Sequence, residues 1–219
     1  MRIAVLNHST AASDEEVARW VAAIQVQIGR DVYPLWRFGA DLRFVASAES
    51  VDDEEWQIVL TDSAEEADYL GYHDEDAQGK PRGFVFIKTT LESGGNPSTT
   101  LSHEVLEMLG NPWLDACAMG PTTSRRVVSY ELCDPVEGDE YEIDGVKVSN
   151  FVTPAYFDTE AQGPFDFLRR LKSAFALTEG GYLIVWNSRQ GWHDVFAAKA
   201  RTKQPRSRTS RIKQVNRGK

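Results

Sequence analysis

Apolar positions along this chain follow first one rhythm and then another. Residues 2 to 8 form a short apolar run, Ile3-Ala4-Val5-Leu6, that reads as a strand. Ser13 then opens a helix with Asp14, Glu15 and Glu16 in its first turn, where carboxylates suit the positive end of the helix dipole. Val17, Trp20, Val21, Ile24 and Ile28 recur at helical spacing, and Gly29 is the expected stop. Leu42-Arg43-Phe44-Val45 and Trp56-Gln57-Ile58-Val59-Leu60 read as strands on either side of the acidic loop 49–55, followed by a short helix over Ser63 to Tyr69 and a strand over Gly83 to Ile87.

A further helix is expected from about Pro97 to Leu109. Asn96 is a candidate N-cap, Pro97 suits the first helical position, Gly110 suits a left-handed stop and Pro112 prevents resumption. Downstream, Glu140 to Ile143 and Val146 to Val148 flank Asp144-Gly145, a tight-hairpin signal. Phe165 to Phe175 has helical spacing, and Tyr182 to Trp186 reads as a buried strand. The fold class is α+β: a mixed sheet with helices packed on it, in one domain over residues 1–198.

The helix expected at residue 97 carries the chemistry. His103 and Glu107 stand four residues apart on one face, so both can point at one ion, and Glu104 lies about 100° round the helix, within reach of a water on that ion. Leu101, Val105, Met108 and Leu109 occupy the opposite side. Zinc proteases of the His-Glu-x-x-His type use two histidines as ligands and the glutamate as general base. Here Glu107 replaces the second histidine, which zinc tolerates at the expense of a less acidic bound water. Catalytic zinc keeps three protein ligands, and the compact acidic segment from Tyr130 to Glu137 is the best source of the third. Glu131 is favoured, with Asp134 second.

The run His103-Glu104-Val105-Leu106-Glu107-Met108-Leu109-Gly110-Asn111-Pro112-Trp113, followed by Glu131-Leu132-Cys133-Asp134, resembles the zincin-like metallopeptidases of bacteria and phages. That family's pattern is His-Glu-x-x-Glu, then Asp-Pro, then Glu-x-x-Asp. The resemblance spans about residues 2 to 155 and takes in Gly71-Tyr72-His73-Asp74 leading to Gly83-Phe84-Val85-Phe86-Ile87. It implies a zincin-like sheet with the metal motif on a central helix, and one zinc ion held by His103, Glu107 and a residue of the acidic segment. It also implies hydrolysis of a peptide or protein substrate with Glu104 as base, and an edge strand at Gly83 to Ile87 bordering the cleft. The chain departs from the pattern at Asn111, where the family carries Asp, so position 111 is not expected to be a ligand. The alternative is a non-catalytic zincin-like module that binds metal or serves a phage-associated structural role.

Charge adds a second theme. Nine of the 24 Lys and Arg lie in residues 199–219 with no acid among them, leaving 15 basic and 33 acidic side chains in the first 198 residues, a net −18. The tail reads as a disordered basic extension, with weak nonspecific contact to nucleic acid or an acidic partner as its sharper reading. No apolar run approaches a membrane span, and the short apolar start does not make a signal peptide, so the expected location is the cytoplasm, or a virion if the chain is phage-encoded. Cys117 and Cys133 are expected to be buried, reduced packing residues, with a thiolate ligand at Cys133 given little weight. His73 could polarise a substrate carbonyl, but a surface histidine in an acidic turn is the favoured reading. His8 and His193 are read as structural or exposed, and Tyr130 and Tyr141 as packing.

Overall fold

A computed structural model describes residues 1–46, 48–63, 69–121 and 126–197. The helix expected over Ser63 to Tyr69 falls, at 64–68, outside the described residues, as does the basic tail 199–219. The chain is mixed α and β, and it divides into two compact units, Met1–Trp113 with Glu140–Ser149, and Leu114–Asp139 with the chain from Asn150 onward. In chain order the first unit carries β1 (Arg2–Asn7), α1 (Asp14–Gln27), α2 (Tyr33–Trp36), β2 (Asp41–Val45), β3 (Trp56–Thr61), β4 (Gly71–Glu75), β5 (Pro81–Phe86), α3 (Ile87–Glu92) and α4 (Pro97–Gly110). The second unit then begins with β6 (Cys117–Met119) and β7 (Val127–Ser129). The hairpin β8 (Glu140–Ile143) and β9 (Val146–Ser149) returns to the first unit, and β10 (Tyr182–Asn187) and β11 (Gly191–Phe196) belong to the second.

The first unit is built on a five-stranded sheet in the order β2-β1-β3-β5-β4. β1 pairs in parallel with β2 and β3, β3 pairs in parallel with β5, and β4 alone runs antiparallel, along β5. Strands covered on both faces carry continuous apolar runs, and β1 does so: Ile3, Ala4 and Val5 are fully buried and Leu6 nearly so. Ala4 and Leu6 cluster with Val45 and Val59 on one face, with Phe84 packed against them, while Ile3 and Val5 point to the other by alternation. The two edge strands of this sheet are β2 and β4. Gly83 to Ile87, expected at the edge, forms most of β5 inside the sheet and continues into α3, because the antiparallel Gly71–Glu75 strand covers it.

α1 begins where expected, with a capping box in which the Ser13 hydroxyl accepts from the Glu16 amide and the Glu16 carboxylate accepts from the Ser13 amide. Gly29 does not stop it. A π-helical turn, Ile28–Val32, carries the chain into α2, which ends at Arg37 in the left-handed region, φ 61°. The β8–β9 hairpin turns through Asp144 and Gly145, both at positive φ (50° and 76°), as a two-residue turn matched to strand twist requires. It packs on α1 and α4 through a buried polar chain. Ser102 Oγ donates to Gln27 Oε1 (2.7 Å) and accepts from the Ser149 amide (3.0 Å), while Gln27 Nε2 donates to the Ser149 carbonyl (2.8 Å).

The second unit holds an antiparallel four-stranded sheet in the order β11-β10-β7-β6. Residues 165–175 are not the expected helix. The buried Asp166 carboxylate takes the Arg170 and Leu171 amides and the Asn150 side chain (3.1, 2.8 and 2.8 Å), a local alternative to helical hydrogen bonding. Among the described residues, no helix is long and apolar enough to cross a membrane.

Two carboxylates of the first unit are held well below their ordinary range. Arg43 makes a two-pronged ion pair with the fully buried Glu55 (2.7 and 2.6 Å) and brings its pKa down to about 2. The hydroxyls of Ser9 and Thr10 and the Thr10 amide bring Asp62 to about 2. A group depressed on folding contributes stability above its unfolded pKa and loses it as pH falls toward the folded value. The urea midpoint is therefore expected to fall as pH drops from about 4.5 to 2, and Arg43→Met should flatten that dependence; equal slopes in the two proteins would contradict the assignment.

Candidate functional site

α4 is fixed at both ends by main-chain chemistry and by a distant carboxylate. Pro97 occupies its first turn as expected, but Asn96 makes no side-chain cap. Its amide instead donates to Glu140 of β8 (3.1 and 2.8 Å), Thr99 Oγ1 donates to the same carboxylate (2.8 Å), and Lys147 pairs with it. An anion at the helix N-terminus suits the dipole there. At the other end Gly110 is the last helical residue and not a left-handed stop. Asn111 ends the helix at φ −145°, its amide reaching the Glu107 carbonyl (2.8 Å), because a residue before proline avoids the helical region.

Leu101, Val105, Leu106 and Met108 of α4 are fully buried, each contributing about 1.5–3 kcal/mol. The polar side is nearly as enclosed, with Glu104 5% and Glu107 1% exposed. His103 Nε2 lies 3.2 Å from Glu107 Oε1, so the helical spacing does bring imidazole and carboxylate together. Glu104 turns toward the edge strand, where its Oε2 lies 3.9 Å from His73 Nδ1.

His73 corrects the reading of a surface histidine in a turn. It sits on β4, fully buried, with Nε2 2.9 Å from the Asn111 carbonyl oxygen. A carbonyl only accepts, so Nε2 carries the hydrogen and Nδ1 is the atom turned to Glu104. One ligand-capable atom each of His73, Glu104 and Glu107 lies within 4.8 Å of the other two. Gly71 and His73 are two apart on the strand and so share a face, but nothing local in the sequence shows that this face meets α4. Gly71 matters on that face, since a Cβ there would lie 2.8 Å from Glu104 Cγ and Oε1 and 2.9 Å from the Phe84 carbonyl.

Glu131 and Asp134 lie in the second unit, both almost fully buried. Ser129 Oγ donates to Glu131 Oε1 (3.0 Å) and Tyr182 Oη to Asp134 Oδ1 (2.7 Å), two orienting contacts that spacing along the chain does not reveal. Asp134 opens a 3-10 turn, Asp134–Val136, against which Gly181 packs without room for a side chain, a Cβ there falling 2.2 Å from the Pro135 carbonyl oxygen. Tyr130 stacks on Phe157 (centroids 3.8 Å), and Tyr141 donates to Asp31 Oδ2 (2.8 Å) with its pKa pushed up by burial, both as packing residues. His8 is exposed, and His193 on β11 contacts the Gly191 carbonyl. Cys133 is buried as expected, whereas Cys117 is exposed on β6, an edge strand of its sheet; neither forms a disulfide.

A scan against protein-family models, a search of curated proteins and a search of solved structures find no match.

Gly181→Ala is expected to lower stability by about 1–3 kcal/mol through overpacking against the Asp134–Val136 turn. Urea unfolding checks this, with Gly29→Ala, where an added Cβ meets nothing within 4 Å and φ is not in the left-handed region, as the control; equal losses would remove the close-packing argument.

Proposed function

We propose that this chain is a zinc-dependent, zincin-like peptidase in which His103 and Glu107 are metal ligands and Glu104 is the general base. The observation that carries the reading is the separation of His103 Nε2 and Glu107 Oε1, 3.2 Å. Two atoms bound at zinc–nitrogen and zinc–oxygen distances in a tetrahedral site stand about 3.3 Å apart, so the separation of the pair matches that of two ligands of one ion. The sequence reading assigns the third ligand to Glu131, with Asp134 second.

Zinc, when bound, supplies a Lewis acid for the scissile carbonyl and lowers the pKa of the attacking water. The chain's own residues do the rest. Glu104 accepts the proton of the attacking water and passes it to the leaving amine, a transfer worth about 10²–10⁴-fold when the base is well placed. β4, at the sheet edge and against Glu104, offers the line along which an extended substrate peptide adds as a further strand. The zincin-like reading is supported by that one antiparallel edge strand bordering the motif helix. A second reading, a metal-binding module without hydrolysis, is favoured by Glu107 itself, because a carboxylate ligand in place of imidazole weakens the Lewis acid.

Protein purified without chelator is expected to hold one zinc per chain by elemental analysis, and His103→Ala to lose it. Glu104→Gln should keep zinc and lose about 10²–10⁴-fold in kcat on a peptide library. A Glu104→Gln protein as active as the original would remove the peptidase mechanism, and cleavage absent from every variant with zinc retained would select the second reading. Comparing zinc affinity in Glu131→Gln and Asp134→Asn identifies the third ligand, the larger loss marking it.

A further inference from the structure

We propose that the Gly71–His73 face of β4 is a seat for the Glu104 carboxylate and that His73 is the positioning residue of the base. The proposal rests on the peptidase reading for its catalytic consequence, but the contact itself stands on geometry within the first unit.

Four observations converge on it. His73 is fully buried, a costly position for an imidazole unless its polar atoms are used. Its Nε2–H donates to the Asn111 carbonyl at 2.9 Å, tying β4 to the residue that ends α4 and fixing which ring nitrogen faces which way. Its Nδ1, which then carries no hydrogen, lies 3.9 Å from Glu104 Oε2, beyond hydrogen-bond distance, so the ring edge limits where the carboxylate can swing without bonding to it. Gly71, two residues earlier on the same face, lets the Glu104 side chain lie directly against the strand backbone, where any Cβ would strike Cγ and Oε1 at 2.8 Å. The carboxylate is thus bounded below by Gly71 and at its oxygen by the His73 ring. Glu104 has three rotatable side-chain bonds, and a base that samples several rotamers is out of line for much of the time. The seat selects one. His73 acts through Glu104, with no role as a zinc ligand in this scheme, and its register on β4 sets where along the edge strand the base stands.

The test is a pair of double-mutant cycles with His73→Gln and Glu104→Gln in the full chain. His73→Gln keeps a donor for the Asn111 carbonyl and removes the ring nitrogen facing Glu104. In urea unfolding of the metal-free protein the two substitutions are expected to couple, the double variant's unfolding constant differing at least about twofold from the product of the single effects. In catalysis, His73→Gln should lower kcat about 10- to 100-fold, as misplacement of a reacting group does, with KM and zinc stoichiometry held. Added to Glu104→Gln it should lower kcat no further, whereas a merely structural loss would add. Additive unfolding effects would overturn the seat, and so would unchanged kcat in His73→Gln or zinc lost from it, the last making His73 a ligand. A Glu104→Gln protein that keeps full activity would instead sink the peptidase reading, and the unfolding cycle would still decide whether His73 holds Glu104.

Discussion

Two carboxylates buried one turn apart on a single helix set the terms for this fold. Glu104 and Glu107 are both all but removed from solvent, and a carboxylate taken out of water without compensation costs several kcal/mol. Both lie against neighbouring imidazoles, Glu107 3.2 Å from His103 Nε2 and Glu104 at the edge of the His73 ring, 3.9 Å away. The helix must therefore be held in register with β4 on one side and with its own preceding turn on the other. The surrounding architecture is the means of holding it, by Glu140 at the N-terminus of α4, by Asn111 and Pro112 at the C-terminus, and by the Ser102–Gln27–Ser149 chain along the flank.

The same constraint explains why α4 looks amphipathic in sequence yet is enclosed almost all round. Its apolar stripe packs as such stripes do, but its polar stripe faces protein instead of water. A helix of that kind is tolerated where the buried polar groups have work to do or are fully satisfied by one another. In this chain Ser102 and Gln27 bond to one another, and His103 lies against Glu107 one turn on.

Much of the first unit was legible because its signals are local. The apolar run of β1, the helix start at Ser13 with acids in its first turn and the Asp144-Gly145 turn each act within a few residues, and each forms as read. The His103–Glu107 pairing was legible for the same reason, since helical geometry alone joins residues four apart. What was not legible depends on sheet order. Which of β4 and β5 lies at the edge is decided by pairing among strands far apart in sequence, and with it the burial of His73. Helix ends were misread where a remote group intervened: Glu140 drew Asn96 away from capping, and a π-helical turn let the chain run past Gly29. The apolar spacing of Phe165 to Phe175 was real, but Asp166 claimed the amides a helix would have used.

The hairpin β8–β9 has a consequence for how the protein comes into being. The first unit is not one stretch of chain: it leaves off at Trp113 and is completed by residues Glu140–Ser149. Until Ser149 has been made, Ser102 and Gln27 lack the strand that satisfies them, and α4 lacks the carboxylate at its N-terminus. During synthesis the motif helix therefore waits for a segment made some thirty residues later, long after its own residues have emerged. An early site would expose a charged, half-dressed helix to the cell. The order of synthesis makes the candidate site one of the last parts of its unit to close.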